Sequence, residues 1–269
     1  MRAVDFVKYE GLGNDFVVVE ADVEDAIAPA EARRICDRRR GVGGDGVIVA
    51  LPPVTPGAVA RMRILNADGS IPEMCGNGIR CLAVHVVAER DLPDGTYVID
   101  TDAGPRACTV DRSRGEVEVD MGIARVDDPV RIRVGDREVA LTRADVGNPH
   151  AVTFDEVSAE EIARIGLPLA TAPEFPRGAN VEFVRPRDGA FDVVVWERGV
   201  GLTQACGTGA CAVVAVAAKA GRAPYGRPVE VHLPGGPLFV THAESGRTLM
   251  RGPARRVFAG RVALDGDRA

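Results

Sequence analysis

The sequence predicts an α+β fold of two pseudo-symmetric domains, each a curved, mostly antiparallel sheet wrapped around a central apolar helix. Three observations lead to this prediction. A Cys-Gly-x-Gly element occurs at Cys75 and again at Cys206, a strongly apolar run follows each occurrence, and short β-branched segments between Gly, Pro and Asp fill much of the remaining chain. A helix that is apolar on all sides needs protein around it, and a curved sheet supplies that cover.

The internal repeat extends beyond the two cysteines. Gly13-Asn14 and Gly147-Asn148 are 134 positions apart, while the cysteines themselves are 131 apart. A polar residue stands nine positions before each cysteine, at Asn66 and at Glu197. A duplication of about 130 residues explains this spacing and agrees with the two domains expected for a chain of 269 residues.

The individual elements follow from local patterns. Helices are predicted directly after each Cys-Gly-x-Gly element, over 79–88 and 210–218. Strands are predicted at 16–19, 116–121, 130–134, 191–196 and 229–233, with two more beginning at Gly46 and Asn180. We place the N-terminal half at 1–121 and the C-terminal half at 122–256, with a linker just past Gly122. The segment 257–269 is a candidate strand that completes the N-terminal half, although it could return to either domain.

Composition and charge exclude several classes of protein. Hydrophobic residues make up 46% and charged residues 27%, which is typical of a folded globular chain. The net charge of −6 argues against a nucleic-acid partner, and the longest apolar run, nine residues at 210–218, is too short to cross a membrane. The first residues have no apolar signal core, so we expect a cytoplasmic protein whose six cysteines are reduced thiols. Only two lysines are present, which disfavours pyridoxal phosphate chemistry.

The two glycine-flanked cysteines are the candidate reactive groups. A thiol at the first turn of a helix faces unpaired backbone N–H groups and the positive end of the helix dipole, so we expect a lowered pKa at Cys75 and Cys206. The adjacent glycines would let a carboxylate approach the same N–H groups. Core packing is the simpler interpretation of the other four cysteines. The spacings from Cys75 to Cys81 and from Cys206 to Cys211 do not match a zinc knuckle, so no metal site is predicted.

Four motifs in order carry a family resemblance. GLGNDF (11–16), NADGS with MCGNGIR (66–80), GNPH (147–150) and ERGVGLTQACGTGAC (197–211) closely resemble diaminopimelate epimerases. The resemblance implies a cofactor-independent homodimer that interconverts L,L- and meso-diaminopimelate on the route to lysine and peptidoglycan. It also implies two catalytic cysteines, which map onto Cys75 and Cys206, with assistance from His150 and Glu197.

The resemblance also implies a set of substrate contacts. Carried over residue by residue, they fall on Asn14, Asn66, Gly76, Asn77, Asn148, Asn180, Glu197, Arg198, Gly207 and Thr208. The chemistry is suitable, because an arginine can hold a carboxylate through two hydrogen bonds and an asparagine amide can pair with carboxylate or ammonium. One departure concerns Gly46, where many family members have a glutamine, so a side-chain contact to substrate is impossible at this position.

Two other functions remain open from the residues. A racemase of a smaller, proline-type amino acid would turn over a ring substrate and ignore the distal group of diaminopimelate. A thiol redox sensor or amino-acid-binding module would bind ligand or form a disulfide without exchanging protons. His85, His232 and His242 have no supporting motif, so structural roles are expected for them.

Overall fold

The structure, a computed structural model, describes residues 2–264; residues 265–269 of the candidate C-terminal segment lie outside the described residues. The helices are α1 (Pro29–Cys36), α2 (Gly76–Glu89), α3 (Ala159–Ala170) and α4 (Gly207–Lys219). The strands are β1 (Ala3–Gly11), β2 (Asn14–Glu20), β3 (Gly46–Leu51), β4 (Ala58–Asn66), β5 (Gly95–Asp100), β6 (Arg106–Asp111), β7 (Glu116–Ile123), β8 (Arg125–Val134), β9 (Arg137–Asp145), β10 (Pro149–Thr153), β11 (Asn180–Arg187), β12 (Ala190–Glu197), β13 (Gly201–Leu202), β14 (Pro228–Leu233), β15 (Gly236–His242), β16 (Arg247–Pro253) and β17 (Arg255–Ala263).

The described chain divides into two compact units. The first contains the residues up to Val119 together with those from Gly252 onward, and the second is Asp120–Arg251. The chain passes from β7 to β8 through the single residue Ala124. Strand β17, which covers most of the candidate C-terminal segment, pairs with β1 and so belongs to the first unit.

In the first unit, the strand order is β17-β1-β2-β3-β4-β5-β6-β7. Helix α2 packs against every strand from β1 to β6, and 11 of its 14 residues are buried. Helix α1 packs with the strands through a second cluster that includes Val17, Val47 and Ile35. The sheet therefore has a helix on each face, because side chains along a strand alternate between its two sides.

The second unit repeats this arrangement. Its order is β8-β9-β10-β11-β12-β14-β15-β16, with the short β13 also paired to β12. Helix α4 packs against β8, β9, β10, β11 and β15, and its apolar side chains are buried from Ala210 to Ala218. Helix α3 packs in a separate cluster with Leu141, Val181 and Phe183.

Strand register shows the internal repeat directly. Phe16 is opposite Gly46 in the parallel pair β2–β3, and His150 is opposite Asn180 in the parallel pair β10–β11. His150 stands 134 positions after Phe16, and Asn180 stands 134 positions after Gly46. Each sheet is mostly antiparallel, as predicted, and has two parallel pairs, because each helix connects two parallel strands and such strands need a crossover. The predicted α+β class with a few helices is confirmed.

The helix ends also follow the sequence pattern. Helices α2 and α4 begin at Gly76 and Gly207, so each glycine-flanked cysteine is the residue that caps a helix N-terminus. Within residues 2–264, no helix is both long enough and apolar enough to cross a membrane.

Candidate active site

The N-terminal unit places Cys75 at the start of its central helix. Cys75 has extended backbone angles, and its Sγ accepts a hydrogen bond from the Gly78 N–H at 3.4 Å. A Cβ at Gly78 would lie 3.2 Å from Ile48 and 3.3 Å from Ile64, so a larger residue there would crowd this helix start. The second glycine of the motif therefore allows the helix N-terminus to approach the sheet closely.

Two predicted substrate contacts in this unit, Asn14 and Asn77, touch each other. The Asn77 Nδ2 donates to Asn14 Oδ1 at 3.1 Å, and the Asn14 Nδ2 donates to Asp45 Oδ2 at 2.6 Å. Fully buried Arg80 donates to Asn77 Oδ1 at 3.0 Å and to the Gly76 carbonyl at 3.1 Å. Because these bonds occupy both ends of the Asn14 amide, the orientation of that amide is set by the protein itself.

Asp45 belongs to an ion-pair network with Arg38, Asp15 and Lys8. Arg38 bridges Asp45 Oδ1 at 2.8 Å and Asp15 Oδ1 at 2.7 Å, and the buried Lys8 ammonium lies 2.6 Å from Asp15 Oδ2. Burial raises the pKa of Asp15, but hydrogen bonds from Arg38 and Lys8 outweigh this effect and lower it to about 2. Lys8, one of the two lysines of the chain, is therefore engaged in a structural ion pair.

Asn66 and Gly46 face each other across strands β4 and β3. Asn66 Nδ2 donates to Ser70 Oγ at 3.0 Å, so its described side-chain bond is not to another predicted site residue. A Cβ at Gly46 would lie 2.8 Å from the Leu65 carbonyl oxygen, which is closer than real Cβ atoms come. The departure from the family pattern at Gly46 therefore coincides with a strand pairing that has no room for a side chain.

The C-terminal unit places Cys206 at the equivalent helix start, but in a different environment. Cys206 is 6% exposed, and its Sγ lies 3.6 Å from Thr208 Oγ1. Burial, followed by the negative charges of Glu197 and Glu182, raises the pKa of the Cys206 thiol well above its usual value. The expectation of a lowered pKa is therefore wrong for Cys206, since desolvation and two carboxylates outweigh the helix N-terminus.

A buried hydrogen-bonded chain runs beside Cys206. Asn148 Nδ2 donates to Thr208 Oγ1 at 3.3 Å, and Asn148 Oδ1 lies 2.9 Å from His150 Nε2. His150 Nδ1 is 2.7 Å from Glu182 Oε1, and both of these side chains are fully buried. Three predicted site residues are thereby linked to a carboxylate that the motifs did not indicate.

Arg198 and Asn180 form a second group in this unit. The Arg198 backbone N–H donates to Asn180 Oδ1 at 2.9 Å, and its guanidinium Nη1 donates to the Arg177 carbonyl at 2.6 Å. Next to Arg198, Glu197 Oε1 accepts from Thr203 Oγ1 at 2.6 Å. These bonds orient the end of β12, which presents the predicted carboxylate-binding arginine.

Three polar residues beside the site were not indicated by the sequence motifs: Glu182 and Arg80, which are buried, and Asp45, which is partly exposed. Glu182 interrupts the apolar segment 181–184 of β11, and Arg80 interrupts the apolar run of helix α2. A charged residue inside an apolar segment was the available signal, because such residues are rarely fully buried unless paired. Asp45 carries no comparable signal, since its neighbours suggest only a turn.

Comparison with solved structures defines the class of fold. The chain superimposes on a probable proline racemase from Agrobacterium radiobacter with a TM-score of 0.76 and 19% identity, covering 97% of this chain and 93% of that one. It superimposes on a hydroxyproline epimerase from Agrobacterium vitis with a TM-score of 0.77 and 17% identity, covering 98% and 94%. The fold is therefore the one seen in these racemases and epimerases.

Sequence comparison gives the particular family. The family model for diaminopimelate epimerase matches residues 6–126 and 142–257. The diaminopimelate epimerase of Synechococcus elongatus is 43% identical over 282 aligned positions, covering 97% of this chain and 99% of the relative. The chain belongs to the diaminopimelate epimerase family, whose members are isomerases.

Proposed function

We propose that this chain interconverts L,L-diaminopimelate and meso-diaminopimelate, without a cofactor, by two-cysteine proton transfer at the α-carbon. The observation that carries the proposal is the repeated placement of a cysteine at the N-terminus of each central helix, Cys75 before α2 and Cys206 before α4. One sulfur removes the α-proton as a thiolate, and the other donates a proton to the opposite face as a thiol. The product serves lysine and peptidoglycan synthesis.

Charge recognition supports the proposed substrate. Backbone N–H groups of Gly76-Asn77 and Gly207-Thr208 lie at helix starts, where they favour an anion such as the α-carboxylate. Stabilising that carboxylate also makes the α-proton easier to remove, since negative charge develops there during the reaction. Arg198 and the asparagines suit the distal amino-acid group, which a proline-type substrate lacks.

His150 and Glu197 are proposed to assist the thiols. Glu197 contributes negative charge near Cys206, and His150 is connected to Thr208 through the Asn148 amide. Both groups can therefore influence where protons reside around Cys206.

The deciding experiment follows turnover of L,L-diaminopimelate in D₂O. At conversion below about one tenth, the meso product should carry deuterium at the α-carbon while recovered substrate stays mostly unlabelled, because the donating thiol has already exchanged with solvent. Mass spectrometry of the separated isomers measures both. Product that is mainly protonated at the α-carbon would contradict the two-base mechanism.

Proline and lysine are the matched control substrates. The fold is also seen in a probable proline racemase, so proline turnover tests that second activity directly. Lysine lacks the distal carboxylate and should be a very poor substrate if Arg198 binds that group. Comparable kcat/KM for proline or lysine and diaminopimelate would contradict the proposed specificity.

A further inference from the structure

Glu182 is a fully buried carboxylate in strand β11. Its Oε1 lies 2.7 Å from His150 Nδ1, while Oε2 has no hydrogen-bond partner among the described residues. A buried carboxylate oxygen without a partner is costly for stability, so its presence needs a reason beyond packing.

Glu182 is also close to the thiol of Cys206. The position that a Cβ would take at Gly209 is 2.8 Å from Glu182 Oε1 and 3.2 Å from Cys206 Sγ. Glu182 Oε1 and Cys206 Sγ are therefore at most 6.0 Å apart. Glu197 at the end of β12, the Thr208 hydroxyl and the Gly209 N–H of α4 also act on this thiol. Glu182 is therefore the second carboxylate, besides Glu197, near the buried Cys206 thiol.

The other half of the repeat shows that the fold itself does not need this carboxylate. At the positions 134 earlier, His150 corresponds to Phe16 and Glu182 to Ile48, in the same parallel register. Ile48 lies under the start of helix α2, 3.2 Å from the Cβ position at Gly78. The equivalent pair beside Cys75 is thus apolar, and the charged pair is particular to the C-terminal unit.

Hydrogen-bond chemistry defines what Glu182 does to the His150 ring. Asn148 Oδ1 can only accept, so His150 Nε2 carries the proton in that 2.9 Å bond. The 2.7 Å bond between Nδ1 and Glu182 Oε1 holds a second proton. Glu182 and Asn148 therefore each engage one ring nitrogen, and Glu182 keeps the ring orientation constant, as second-layer carboxylates do for histidines in other active sites.

We propose that Glu182 is a positioning residue: it holds the His150 ring against Asn148 and keeps Cys206 protonated until substrate binds. This assignment builds on the proposed epimerase function.

The test is the pH dependence of Cys206 alkylation by iodoacetamide in the full-length protein, with peptide mass spectrometry as the readout. In Glu182→Gln, the midpoint for Cys206 should fall by up to about one pH unit. A full unit charge about 6 Å away would give about two units at an effective dielectric constant of about 20, and the proton shared with His150 Nδ1 offsets part of that effect. The kcat for L,L-diaminopimelate should fall about tenfold or more, with KM changed less than about threefold. An unchanged midpoint, or an unchanged kcat, in the folded variant would overturn the proposal.

Two control variants separate charge from structure. Glu182→Asp keeps the charge and should restore the alkylation midpoint, with partial recovery of kcat. Glu20→Gln removes the carboxylate that lies 3.1 Å from His85 Nε2 in the other unit and should leave the Cys206 midpoint unchanged. A midpoint that shifts equally in Glu20→Gln, or stays shifted in Glu182→Asp, would count against a specific effect of the Glu182 charge.

A second variant tests the same proposal if Glu182→Gln does not fold. The double variant His150→Phe with Glu182→Ile copies the apolar pair Phe16 and Ile48 of the other half, and its Cys206 midpoint should also fall. An unchanged midpoint there would refute the proposal. Because alkylation needs no substrate, it still tests Glu182 if the wild-type protein fails to turn over diaminopimelate, a result that would refute only the proposed function.

Discussion

Replacing Gly178 with alanine should weaken substrate binding through Arg198. Gly178 has a φ of +66°, and a Cβ there would lie 2.8 Å from Arg198 Cδ and 3.2 Å from Cγ. The Ala170 carbonyl oxygen, also 3.2 Å from that Cβ, limits movement of the backbone in the opposite direction. The added methyl group must therefore displace the Arg198 side chain, together with its 2.6 Å bond to the Arg177 carbonyl.

The size of the effect has two parts. A left-handed backbone conformation costs alanine about 1–2 kcal/mol, which lowers stability whether or not Arg198 moves. A misplaced guanidinium loses charge-assisted hydrogen bonds to the substrate carboxylate, each worth about 1.5–3 kcal/mol. Since about 1.4 kcal/mol corresponds to a factor of ten, kcat/KM for L,L-diaminopimelate should fall about 10- to 100-fold.

Gly189→Ala is the matched control. Gly189 has a φ of +72° in the hairpin between β11 and β12, and no atom lies within 4 Å of its added Cβ. Both variants should show a similar loss of stability in urea unfolding, but only Gly178→Ala should lose kcat/KM. If Gly178→Ala keeps wild-type kcat/KM while its stability falls as in the control, the contact with Arg198 does not position the guanidinium for substrate.

Three further predictions concern the cysteines, an acidic side chain and the packing of a tryptophan. Cys75→Ser or Cys206→Ser should abolish epimerisation while circular dichroism stays unchanged; near-normal turnover would remove that cysteine from the mechanism. Because the pKa of Asp15 is about 2, below its usual 3.8, ionised Asp15 stabilises the fold above about pH 4. Its contribution of about 2 kcal/mol is lost as the pH falls towards 2, so urea unfolding of wild type and Asp15→Asn should converge there. Gly166→Ala places a Cβ 2.4 Å from the Trp196 ring, so it should lower the free energy of unfolding by about 1–3 kcal/mol. The fluorescence emission of Trp196, the single tryptophan, should shift as well, and unchanged emission and stability would contradict the contact.

The sequence alone determined the elements that depend on local pattern. Cys75 and Cys206 could be placed at helix starts because flanking glycines and an apolar run are adjacent in the chain. The constant spacing of the motifs revealed the duplication, because a repeated fold needs its turns, strands and helices at repeated positions. The family resemblance came from the same short segments.

Only the tertiary structure decided which residues those elements bring together. Glu182 and His150 are 32 positions apart in sequence and meet because β10 and β11 pair in parallel. The raised pKa of Cys206 follows from burial and from carboxylates on two other strands, so the helix N-terminus alone suggested the opposite direction. Lys8 and Asp15 likewise meet across the antiparallel pair of β1 and β2. Burial and long-range pairing depend on the whole chain, and no local pattern of residues contains them.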